Sequence, residues 1–239
     1  MYIRPYVIIN GVNSTTITGL LVTDLGVISK PLIRTLVEEI DGRDGDIVTP
    51  LGFSATDRVI KIGLTNNYNI DEVINYFNSE GVITFSNEPD KYYRFAIYEQ
   101  IDFERLIRFK TAEVTLHLQP FKFSLEEREQ ETTISTSPAT VNVYNSGNYY
   151  ARPIIKIIGS GDITVSLNNS QVLALALGSN SRTIIIDCEQ MNAYAEDNTL
   201  LNRLVTGNYD NIKISVGANA FTLSGSVTKF VINKYSRWI

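Results

Sequence analysis

The chain has 239 residues, 44% hydrophobic and 20% charged, and its 26 acidic and 21 basic side chains give a formal charge of −5. Without a Lys or Arg cluster this balance argues against sequence-independent or specific nucleic-acid binding, because phosphate affinity comes mostly from such contacts. No apolar run approaches the ~20 residues of a membrane-spanning helix, and the N-terminus lacks a signal-peptide core, so no membrane span is expected and assembly in the cytoplasm is.

Up to residue 36 the pattern is of short strands, with Thr15, Thr16, Ile17 and Thr18 punctuated by Gly11, Gly19 and Gly26. Pro31 has no amide donor and a fixed φ, which argues against a helix there, so Leu32 to Ile40 is expected to be a strand. It leads into Glu38–Phe53, EEIDGRDGDIVTPLGF. Asp41, Gly42, Arg43, Asp44, Gly45 and Asp46 form a candidate hairpin tip, with glycines where positive φ is cheap and aspartates that bond their own backbone two residues on. The acidic residues do not fall into the register of a calcium loop. Arg58–Leu64 alternates as a returning partner strand would.

The expected helix follows. Asn69 with Glu72 three residues later resembles a capping box, Ile70, Val73, Ile74 and Phe77 share one face, and Gly81 is the expected stop. Two strand segments come next, with turns at Asn87–Lys91 and Asp102–Glu104. In the second, Val114, Leu116 and Leu118 point one way and Thr115, His117 and Gln119 the other. His117 is the only histidine and reads as a surface residue. With no second His, no cysteine pair and no GxSxG elbow, there is neither a zinc set nor a nucleophile triad. Gly159 and Gly161 lack the third glycine of a dinucleotide fingerprint and are expected in a hairpin turn. Cys188, the single cysteine, sits in the apolar run TIIIDCEQ as a structural residue. No catalytic residue, cofactor or metal site is assigned, and the chain is not expected to be an enzyme.

Apolar residues nearly vanish over Leu125–Pro138, LEEREQETTISTSP, which reads as a domain boundary between an N-terminal domain at 1–130 and a C-terminal one at 138–239. The second half alternates short β segments with glycines, as in a β-sandwich, and offers one short helical candidate at Thr199–Val205.

Taken together, IDGRDGDIV, the capped helix, GVITFSNEPDKYYRFAIYEQIDFER and VTLHLQPFKFS resemble the N-terminal domain of the distal tail (Dit) proteins of long-tailed, non-contractile phages and prophages. RPIIKIIGSGDITVSLNN, IIIDCE, GNYDNIKISVGANAFTLSG and the closing SRWI are similar to that family's C-terminal domain. The resemblance implies a mainly β fold: a β-sandwich-like, tail-tube-type first domain with one α-helix, then a galectin-like β-sandwich. It implies a structural role in the virion tail tip or baseplate, as a homo-hexameric ring that joins the tail tube protein to the tail-associated spike protein and can carry receptor-binding proteins. On that basis Asp41, Gly42, Arg43, Asp44, Gly45 and Asp46 belong to an intersubunit arm. The alternative function is a carbohydrate-binding module contacting the host cell wall, with Tyr149, Tyr150, Tyr194 or Tyr209 as stacking rings.

Overall fold

The computed structural model describes residues 4–239 and divides into two compact units, one running up to Leu125 and the other spanning Glu126–Trp238, apart from the terminal Ile239. Each unit has its own core. The division falls at the start of the apolar-poor segment. Residues 130–133 of that segment form a strand of the second unit.

The first unit contains β1 (Val7–Ile9), β2 (Val12–Asn13), β3 (Leu20–Asp24), β4 (Ile33–Glu38), β5 (Ile47–Phe53), β6 (Thr56–Leu64), α1 (Ile70–Phe77), β7 (Glu80–Phe85), β8 (Lys91–Ala96), α2 (Phe103–Phe109) and β9 (Thr111–Ser124). Its main sheet runs β2-β1-β7-β8-β9-β6-β3, antiparallel throughout, while β4 and β5 stand apart as a two-stranded ribbon. The strand period of two sorts side chains as expected on β9: Ala112, Val114, Leu116 and Leu118 are buried, and Glu113 faces water. The partner expected for the hairpin, Arg58–Leu64, instead lies inside the main sheet between β9 and β3. The returning strand is β5, which carries Pro50 and Gly52 at a β-bulge, the place in a ladder where a missing donor is tolerated.

Helix α1 lays Val73, Tyr76 and Phe77 on the core. Asn69 Oδ1 accepts from the Glu72 amide at 3.4 Å, but Glu72 Oε2 accepts from the Thr18 amide at 3.3 Å, so only half of the capping box forms and the other half ties the helix to the segment before β3. The helix ends at Phe77, and Gly81, the expected stop, lies in β7. A second helix, α2, stands where a turn was expected. Asp102 caps it by accepting from the Arg105 amide at 2.8 Å, Leu106 is buried beneath it, and Lys110 closes it in the left-handed conformation.

The second unit comprises β10 (Gln130–Thr133), β11 (Ala139–Asn145), β12 (Ile154–Leu167), β13 (Ser170–Ala176), β14 (Arg182–Asp187), β15 (Asn192–Tyr194), β16 (Val205–Gly207) and β17 (Gly217–Asn233). The long strands β12 and β17 pair with each other along most of their length, and each changes its outer partner midway. β12 meets β14 through Gly159 and β13 from Asp162, while β17 meets β11 up to Leu223 and β10 from Lys229. The ladder is irregular at this corner, so Gly159 and Gly161 mark a bulge inside one strand rather than the hairpin turn expected of them. The short helical candidate is one 3₁₀ turn, Asn202–Leu204. Cys188 is buried, and burial, reinforced by the nearby Asp187 charge, raises its thiol pKa and so disfavours the reactive thiolate.

Tyr209 packs against this core with its hydroxyl buried and, among the described residues, without a hydrogen-bond partner. Burial raises its pKa from the ordinary tyrosine value, with Cys188 adding to the effect. Removing an unpaired buried hydroxyl relieves a desolvation cost, so Tyr209→Phe is expected to be neutral or to stabilise by up to about 1 kcal/mol in urea unfolding. A loss of more than ~1 kcal/mol would show that the hydroxyl makes a bond worth keeping.

Candidate assembly interface

The ribbon β4–β5 is the feature that the packing of the first unit leaves unexplained. Its ladder runs from Ile33↔Phe53 through Leu36↔Thr49 and Val37↔Val48 to Glu38↔Ile47. Alternation puts Ile33, Val37, Val48, Pro50 and Phe53 on one face and Leu36 and Ile47 on the other. All six residues of β4 are exposed, and on β5 only the end residues Ile47 and Phe53 are partly covered. Val27 is 81% exposed, Leu32 72%, Val48 and Leu51 56% each, and Val37 51%. An isolated two-stranded hairpin is marginal in water, and the exposed apolar side chains it carries make the ribbon a candidate contact surface.

The ribbon's root is fixed while its body is bare. Ser54 N donates to Leu32 O at 2.8 Å, and the Phe53 ring meets Phe121 of β9 edge-on with centroids 5.6 Å apart. Arg58, buried at the start of β6, donates through Nε to Leu25 O at 2.6 Å and lies 3.8 Å from the Phe85 ring centroid. Its burial lowers the guanidinium pKa, and the Tyr93, Glu88 and Asp24 charges oppose that shift. The lead-in at Leu25 and the exit at Ser54 are therefore both held, and the arm projects from a fixed base.

Asp41, Gly42, Arg43, Asp44, Gly45 and Asp46 lie together at the ribbon's end, all of them exposed. The Arg43 amide donates to Ile40 O at 3.1 Å, and Gly42 and Gly45 take φ of 83° and 77°, as the tight reversal requires. The sequence reading missed the apolar sides behind this tip. Their signal was present in the β-branched runs IRTLV and IVTPL, but a sequence does not distinguish an apolar strand covered by its own chain from one left bare.

Further exposed apolar side chains lie on α2 and before it: Phe109 is 65% exposed, Ile107 41%, and Tyr98, whose ring centroid is 5.4 Å from that of His117, 75%. Elsewhere the candidate stacking tyrosines are already engaged or dispersed. Tyr149 and Tyr150 lie with ring centroids 4.5 Å apart, and the Arg237 guanidinium is 4.7 Å from the Tyr150 ring while its Nε donates to Tyr150 O. Tyr194 is on β15, and Tyr209 faces the core. His117 Nδ1 is 2.7 Å from Asp57 Oδ1, at the surface. Among the described residues no group of three or more His, Cys, Asp and Glu is gathered to hold a metal, and no helix is long and apolar enough to cross a membrane.

No family model matches the chain, and no curated protein matches it. Among solved structures, the Dit protein (gp 19.1) of phage SPP1, a hub of the adsorption apparatus in phages infecting Gram-positive hosts, superposes with a TM-score of 0.68. The match covers 98% of this chain and 99% of that one at 16% identity. The chain has the Dit fold. A chain of the phage p2 baseplate in its activated conformation with Sr matches at a TM-score of 0.45 and 9% identity, over 97% of this chain and 98% of that one. Because the SPP1 likeness runs the length of both chains, the Dit fold here includes both units and is not a single module shared by chance.

Proposed function

We propose that the chain is a non-enzymatic structural subunit of a phage tail tip or baseplate. In this reading six copies close into a ring that continues the tail tube, joins the tail-associated spike protein and offers its second, galectin-like domain as an outer platform for receptor-binding proteins. The observation that carries the reading is the bare apolar ribbon on a chain of Dit fold: a surface that is unstable in water is supported when copies cover it. A closed ring of identical subunits needs two different complementary surfaces on each copy, and an arm rooted at one place meets the first half of that requirement. The carbohydrate-binding alternative is weaker, since Tyr149 and Tyr150 are occupied with each other and with Arg237.

The reading is tested by light scattering of the whole protein over a dilution series, with and without tube and spike partners, because assembly depends on concentration. The expected result is a six-copy species at high concentration. Arg43→Ala removes the only cation of the acidic tip; if Arg43 is desolvated against a carboxylate of the next copy, the contact weakens by about 2 to 5 kcal/mol, and if it lies on a wet rim by less than ~1 kcal/mol. A protein that stays monomeric under all these conditions overturns the proposal.

A further inference from the structure

One flank of the second unit ends in open strand edges. β10 and β11 both pair with β17 on the side away from β12, and among the described residues no further strand pairs with either. At seven residues β11 is the longest edge strand of the unit. β10 has four, β15 and β16 three each, and the outer side of β15 is met by residues 199–201, where the Leu201 amide donates to Ala193 O at 2.7 Å. A bare edge as long as β11 is a template for another strand.

The direction of its backbone groups follows from Ala220, which stands opposite Asn142 in the ladder. The Ala220 amide donates to Asn168 Oδ1 at 2.9 Å, and its carbonyl accepts from the Asn168 amide at 2.9 Å, so both groups point towards the β12 side. Opposite residues of an antiparallel pair exchange two hydrogen bonds or none. Asn142 therefore turns its own amide and carbonyl outward, and Thr140 and Tyr144, two residues to either side, do the same.

Two of these outward carbonyls are taken by side chains from elsewhere in the unit. Gln130 Nε2, at the start of β10, donates to Asn142 O at 2.9 Å, and Lys234 Nζ, just past the end of β17, donates to Tyr144 O at 3.2 Å. Lys234 is held in turn. Its ammonium lies 3.5 Å from Glu127 Oε1, Glu127 Oε2 accepts from the Ser236 amide at 2.7 Å, and the Lys234 and Glu127 side chains are 19% and 9% exposed. The side chains of Thr140, Asn142 and Tyr144 are exposed, so the edge is closed at its carbonyls and open around them.

We propose that Gln130 and Lys234 form a latch on the β11 edge, and that with the latch released this edge is a strand-addition site for a second copy of itself. The outward residues are symmetric about Asn142, the middle of the strand. A twofold axis there sets Asn142 opposite Asn142 and Thr140 opposite Tyr144, each amide facing a carbonyl. The strand, ATVNVYN, has no charged residue, so no like charges meet across such a pair. The inference concerns the second unit and is independent of the β4–β5 ribbon.

Thiol cross-linking of the full-length chain tests it, with buried Cys188 unreactive. Asn142→Cys keeps the backbone carbonyl and serves as the reporter. The latch is released by Gln130→Ala with Lys234→Met and Glu127→Gln, the last so that no buried carboxylate is left unpaired. With a short bismaleimide, the released chain is expected to give at least tenfold more covalent dimer than the latched chain at equal concentration. Lys234→Arg, which keeps a donor, is expected to match the latched chain, and a Ser170→Cys reporter on β13 to show no increase on release. Urea unfolding establishes that the released chain folds; should it not, Gln130→Ala alone decides, with at least threefold more dimer expected. Dimer at the latched level in the deciding variant overturns the proposal. So does a latched chain that already cross-links as readily as the released one, or an equal rise at Ser170→Cys, which is aggregation without use of the edge.

Discussion

Replacing residues 34–52 by a short Gly-Ser turn is expected to abolish self-association while leaving the thermal transition of the first unit within a few degrees of the parent. The ribbon contributes little to its own unit: β4 is exposed along its whole length, and Ile47 and Phe53 at the ends of β5 are the partly covered exceptions. What it offers a neighbour is larger. Fully burying an exposed Val or Leu side chain is worth about 1.5 to 3 kcal/mol, and Leu36, Val37, Val48 and Leu51 are each about half exposed, so covering all four contributes about 3 to 6 kcal/mol per arm. A milder variant, Val37→Glu with Val48→Glu, places like charges directly across the ladder and on the same apolar face, and is expected to raise the midpoint of assembly by at least a hundredfold. Light scattering and differential scanning calorimetry on the same samples separate the two effects. Loss of the first unit's melting transition would show that the ribbon is part of the fold; undiminished assembly would show that it is not the contact.

At the corner of the second unit, Gly225→Ala is expected to destabilise by on the order of 3 kcal/mol. Gly225 has φ of +108°, and a Cβ there would lie 2.3 Å from the backbone oxygen of Asp162, so the substitution suffers both strain and a collision that no side-chain rotation relieves. Gly159 has the close approach alone, with a Cβ 2.5 Å from Ser226 O. Gly161 has the positive φ alone, with open space around it, and Gly161→Ala is expected to cost about 1 to 2 kcal/mol. Urea unfolding of the three alanine variants, with slopes unchanged, checks both the order and the size. Equal costs at Gly161 and Gly225 would remove steric approach as the reason for the corner.

How far these features could be read from residues alone depends on whether their cause is local. Helix α1 was legible because Asn69 and the spacing of Ile70, Val73, Ile74 and Phe77 act within one segment. Helix α2 was not: with seven residues and Leu106 as its one fully buried side chain, its apolar pattern is too short to stand out from a turn, and contact with the sheet stabilises it. β5 was passed over because Pro50 and Gly52 look like breaks, and only the bulge in a two-stranded ribbon makes them acceptable. Gly159 and Gly161 resemble a hairpin until Gly225, more than sixty residues later, is seen to form the other half of the same bend. The arm's tip was visible through its turn chemistry. Its apolar body was not, because bareness is a property of the folded chain.

The shared long strands of the second unit also have a mechanical meaning. β12 and β17 lie antiparallel and pair from Ile154↔Asn233 to Leu167↔Phe221, on both sides of the bend where their register shifts. Their hydrogen bonds run across the strand direction, so a pull along the strands loads many of them at once, whereas peeling from an end would break them one after another. Two faces of the sandwich hang from this one seam. Tension entering either face is therefore carried by the same pair of strands, and the unit resists stretch as one piece instead of yielding sheet by sheet.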